Sequence, residues 1–107
     1  MGTLPLSRPH DEAIVEMLRD DPDFASEYLT AAFEEAEQPS GQEALLLALR
    51  HVAEAKGMAR VARKAGVQRE SLYRALSPKG NPTIKTLLAV MQSTGLKLGV
   101  HRGNGHG

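Results

Sequence analysis

An all-α bundle of five to six helices with a short C-terminal β-strand is the fold class that three features of this 107-residue chain predict. Apolar residues recur at helical spacing through most of its length. The stretch Met58 to Ser77, MARVARKAGVQRESLYRALS, holds the residue types that a helix-turn-helix demands. Near the C-terminus, over Leu96-Lys97-Leu98-Gly99-Val100-His101, the period switches to two.

The length suits one domain with a real core. There is no Trp and little aromatic content, so that core must come mainly from Leu, Val, Ala, Met and Ile. The absence of Cys excludes disulfides and thiolate metal sites and is compatible with a reducing cytosol. No apolar run approaches a membrane span, and MGTLPLSRPH lacks the apolar core of a secretory signal. The formal charge is zero, yet residues 1–56 hold twelve acids against four bases, and residues 57–107 hold nine bases against one acid. A basic half suits a polyanion such as DNA, while an acidic half suits a basic protein partner or is ordinary solubilising charge.

Residues 1–20 read as an irregular lead-in with two prolines followed by a short helix from about Asp11 to Arg19. Ala13, Ile14, Met17 and Leu18 mark its apolar face, and His10 before it reads as a surface residue. Residues 21–101 form the helical domain. Asp21-Pro22 starts a helix, because Asp can cap and Pro loses nothing at the first position. Phe24, Ala25, Tyr28, Leu29, Ala32, Phe33 and Ala36 share one face, with Glu27, Glu34, Glu35 and Glu37 turned away. Phe24 and Phe33 suit the core; Tyr28 suits core or interface, since its hydroxyl wants a polar partner.

Gln38-Pro39-Ser40-Gly41 breaks that helix, and Ser40 with Glu43 spells a capping box for the next. From about Gly41 to Ala55 the apolar face is broad, which implies burial on more than one side. Gly57 closes this helix. His51 within it reads as structural, with no nucleophile or acid set beside it by any motif.

In the helix-turn-helix, Ala62 is small where two helices must meet, Gly66 permits the positive φ of the turn, and Val67 is expected as the buried turn residue. Val61, Ala65, Leu72, Ala75 and Leu76 supply apolar contacts. Facing outward are Arg60, Arg63, Lys64, Gln68, Arg69, Glu70, Ser71, Tyr73 and Arg74, side chains suited to phosphates and base edges. The second helix would enter the major groove. An amphipathic hairpin with a merely solvated charged face is the alternative. The loop Ser77 to Thr83 follows, and Thr83 caps a last helix ending near Gly95. Lys79, Asn81, Thr83 and Lys85 could reach a phosphate, or could be plain loop residues. The period-two segment is expected to pair with its own copy or a partner's sheet edge, or else to lie extended on the surface. Residues 102–107 read as a flexible tail, and His101 with His106 is too little for a metal site.

The order of these elements resembles the HigA-type addiction-module antidote proteins, antitoxins with a lambda-repressor-like helix-turn-helix. Asp23-Phe24-Ala25, Tyr28-Leu29, Ala44 to Arg50, Val52 to Met58, Arg69 to Ser77, Gly80-Asn81-Pro82-Thr83 and Gly95 to Leu98 carry the resemblance. It implies a cytoplasmic bacterial or archaeal protein encoded beside a small basic RelE/HigB-like toxin that cleaves mRNA. The antitoxin would neutralise that toxin and, as a homodimer on a palindrome, repress their operon. Gln68, Arg69, Glu70, Tyr73 and Arg74 would face DNA; family members often carry Ser or Thr at the position of Gln68, but glutamine can itself read adenine. Tyr28, Glu34, Glu35 and Glu37 are the expected toxin contacts. A stand-alone regulator without a toxin and a protein-binding module are the competing functions. An enzyme is not expected, nor a cofactor or metal, because no ligand spacing, P-loop or nucleophile–base pair occurs.

Overall fold

The computed structural model describes residues 8–103, and these form six α-helices with no strand among them. α1 runs Arg8–Asp20, α2 Pro22–Glu34, α3 Gly41–Lys56, α4 Met58–Ala65, α5 Arg69–Ala75 and α6 Ile84–Thr94. α1 begins earlier than expected, with Pro9 in its first turn and exposed His10 inside it. The parts of the lead-in and tail at 1–7 and 104–107, His106 included, lie outside the described residues.

α3 is the hub. It packs against α1, α2, α4 and α6, as its broad apolar face implied. Leu49, His51, Val52 and Ala53 in its middle are all but inaccessible. They meet Leu18 of α1, Leu29 of α2, Val61 of α4, Leu72 of α5 and Val90 of α6 in one apolar core. Phe24, Tyr28 and Phe33 are half-buried against this core rather than central to it.

Two starts follow the expected chemistry. Asp21 is extended, and its Oδ1 accepts from the amides of Asp23 and Phe24, with Pro22 at the first position of α2. Thr83 Oγ1 accepts from the amide of Thr86, 3.1 Å away. A third does not. Ser40 has φ 66° and makes no capping bond, so the Ser40–Glu43 box is absent. The box needs an extended serine, whereas here the chain reverses so tightly after α2 that Gly41 lies against the backbone of Glu35 and Ala36.

The expected C-terminal strand is also absent: Leu96 to Gly103 is neither helix nor strand. Alternation alone cannot make a strand, since a ladder needs a second edge to bond, and the described residues supply none. Leu96 instead packs on the core, and the segment runs beside α2, leaving a cleft of about 390 Å³ lined by Thr30, Phe33 and Val100. No described helix is long and apolar enough to cross a membrane.

Candidate nucleic-acid interface

α4 and α5 are joined by Gly66-Val67-Gln68. Every third or fourth residue of α4 is buried (Met58, Val61, Ala62, Ala65), which leaves Arg60, Arg63 and Lys64 exposed on the opposite face. Gly66 has φ 74°, and the amide of Val67 reaches back to the carbonyl of Ala62, which closes the helix in a Schellman pattern. Only glycine enters that bend without steric cost. The bend also corrects one expectation. Val67 is 38% exposed, not buried, because it follows the left-handed Gly66, past the end of the amphipathic face of α4.

α5 presents Arg69, Glu70 and Arg74 to solvent, preceded by exposed Gln68. Its buried anchors are Leu72 and, just past its end, Leu76. Tyr73 is half-buried, with its ring against the core and the Arg69 guanidinium 5.7 Å from the ring centroid. That cation–π contact lays Arg69 along its own helix. Arg74 Nη2 donates to Ser71 Oγ at 3.3 Å.

Lys85 belongs to the same surface although it sits on α6. A Cβ built on Gly66 would stand 2.9 Å from Lys85 Nζ, so the amine lies directly over the turn. The C-terminal end of α4 is there, and its carbonyls favour a cation. Lys79 and Asn81 are exposed on the loop after α5. Thr83 is exposed too, but its hydroxyl is occupied by Thr86, accepting from the amide and donating to Oγ1. The arrangement is a basic, solvent-facing hairpin with one acid, Glu70, able to contact phosphates and base edges.

The expected protein-contact residues are not gathered in the same way. Glu34, Glu35 and Glu37 are exposed at the end of α2 and just beyond. Tyr28 turns inward, its hydroxyl 2.6 Å from His51 Nδ1, while His51 Nε2 lies 2.7 Å from Asp11 Oδ1. The carboxylate can only accept, so Nε2 donates; in the neutral ring Nδ1 then accepts from the Tyr28 O–H. Burial, then the nearby Asp11 charge, pushes the Tyr28 pKa up to about 12. This bridge ties α1, α2 and α3 together, and no spacing in the sequence links residues 11, 28 and 51. Asp11 also lines an open cleft of about 760 Å³ with Glu12, Glu16, Arg50, Glu54 and Tyr73, again unforeseen. No cluster of metal-binding side chains occurs among the described residues.

Comparison with known proteins adds the family. A family model described as "Probable addiction module antidote protein" matches residues 9–102. An uncharacterized protein of Haemophilus influenzae (strain ATCC 51907 / DSM 11121 / KW20 / Rd) is 43% identical over 65 residues, covering 61% of this chain and 67% of that protein. No solved structure matches. With nearly its whole length matched, α1 from its second residue and α2 to α6 entire, the chain belongs to the family of probable addiction module antidote proteins.

Proposed function

We propose that this protein is a HigA-type antitoxin of a type II toxin–antitoxin pair, which neutralises a RelE/HigB-like mRNA-cleaving toxin by binding it and represses its own operon by binding DNA. The family match over residues 9–102 carries the antitoxin half. The exposed basic hairpin of α4 and α5 supports the DNA half. In this reading α5 is the recognition helix of a lambda-repressor-like motif. Arg69 reads a base, with guanine the natural partner of its fork, at about 1–3 kcal/mol of discrimination. Gln68, Glu70, Ser71 and Tyr73 flank it. Arg74, Lys79 and Lys85 hold phosphates, and Asn81 and Thr83 border the same loop. A homodimer would set two such helices about one DNA turn apart. The toxin contact falls on the acidic side, around Glu34, Glu35 and Glu37, because a basic toxin is attracted there.

The test is a growth assay with the gene next to this one. Induced alone, its product should arrest growth, and co-expression of this chain should restore it. Charge reversal of Glu34, Glu35 and Glu37 together should abolish the rescue while leaving the protein folded. Growth unaffected by the neighbour would instead favour a stand-alone regulator. Rescue unchanged by the charge reversal would remove that surface from the proposal.

A further inference from the structure

The segment after α6 has the side-chain pattern of a strand and none of its bonds. Leu96, Leu98 and Val100 alternate with Lys97, Gly99 and His101. Among the described residues, the backbone groups of Lys97 to Val100 make no hydrogen bond. Leu96 packs on the core, but Leu98 is 43% exposed and Val100 is fully exposed. The segment forms one wall of the cleft of about 390 Å³, and α2 forms another. Phe33, Leu96, Leu98 and Val100 give that cleft its apolar surface. Strand addition uses two parts, main-chain bonds for affinity and a pocket that takes side chains of the incoming strand. Both parts lie side by side here.

We propose that Leu96 to His101 pairs with an open sheet edge of a basic partner protein, the toxin, and that an apolar side chain of that edge enters the cleft. Charge selects the occupant. α2 carries Asp23, Glu27 and Glu34 and no base, and Glu35 and Glu37 follow it on exposed surface. Lys97 and Arg102 on the segment are outnumbered by these acids. A basic protein is therefore drawn to this side of the molecule. A second copy of the chain seated in the same cleft would bring acidic α2 against acidic α2, which repels. The inference rests on the antitoxin reading and deepens it, by adding a backbone pairing to the acidic side chains of that surface.

Hydrogen–deuterium exchange and titration calorimetry of the full chain with the purified product of the neighbouring gene test it. In the complex, exchange over residues 97–101 should slow about tenfold or more. Leu98→Pro and Gly99→Pro each remove one amide, and neighbouring amides of an extended chain face opposite edges. At least one of the two should weaken binding about tenfold or more, equivalent to about 1.4 kcal/mol. Gly99→Ala keeps the amide, and a Cβ there meets nothing within 4 Å, so it should bind like the wild type. Both positions lie outside the helices, so thermal unfolding should be unchanged. A complex in which 97–101 still exchanges as in the unbound chain, with both proline variants binding normally, would overturn the proposal and leave the antitoxin reading standing. Protection of 97–101 in the chain alone, rising with its concentration, would overturn it in favour of a second copy. A neighbouring product that neither binds nor arrests growth would remove the antitoxin reading and this proposal with it.

Discussion

His51 is fully buried, and both of its ring nitrogens are satisfied, by residues forty and twenty-three positions away. Removing either partner leaves a buried polar atom bare, which costs about 1–3 kcal/mol. Asp11→Ala and Tyr28→Phe should each lower the unfolding free energy by about that amount in a urea titration; a neutral result would mean that water satisfies the ring. Tyr28 also makes an alkaline prediction. Its pKa of about 12 in the folded chain lies above the ordinary 10, so the unfolded chain ionises first. Its contribution is complete below pH 10 and is lost as pH rises toward 12. The melting temperature of Tyr28→Phe should therefore fall less over that range than that of the wild type, and parallel curves would contradict the assignment. Ser40 is the one non-glycine residue with positive φ among those described, and its side chain caps nothing. Ser40→Gly should stabilise by about 1 kcal/mol, from relief of the left-handed penalty. A loss of stability would show that the hydroxyl has a role in solution.

Helix boundaries were legible wherever one residue decides the local backbone. Asp21, Gly57, Gly66, Thr83 and Gly95 stand at the ends that their chemistry implied. The failures came where a second element decides. Ser40 spelled a cap, but the reversal between α2 and α3 set its φ. Leu96 to His101 alternated like a strand, but the described residues supply no second strand for it to pair with. Gly80 shows the same rule from the other side. A Cβ there would run into the backbone carbonyl of Ala75, so the loop after α5 can close only on glycine. Gly80→Ala should cost about 1–3 kcal/mol, the scale of an overpacked site, by thermal unfolding. An unchanged melting temperature would mean that the loop opens at no cost and does not fix Lys79 and Asn81 relative to α5.

Across the whole molecule, the division of charge in the sequence falls at a joint in the fold. Gly57 alone separates α3 from α4, so the acidic half of the chain is α1 to α3 and the basic half is α4 to α6. Composition was enough to see that polarity, and the apolar register of 58–77 was enough to find the hairpin. The Asp11–His51–Tyr28 bridge, the acidic cleft beside Tyr73 and the position of Lys85 over Gly66 were not legible. Each joins residues from separate helices, and no local pattern encodes which helices will touch. We propose that the basic hairpin reads DNA. Fluorescence anisotropy of the full chain on its own upstream DNA across a salt series, beside Arg69→Ala, decides it. Tight binding should weaken steeply with salt, and Arg69→Ala should weaken it by about 1–3 kcal/mol on that sequence and far less on unrelated DNA. Binding to the upstream DNA no tighter than to unrelated DNA, with the mutation without effect, would contradict the claim.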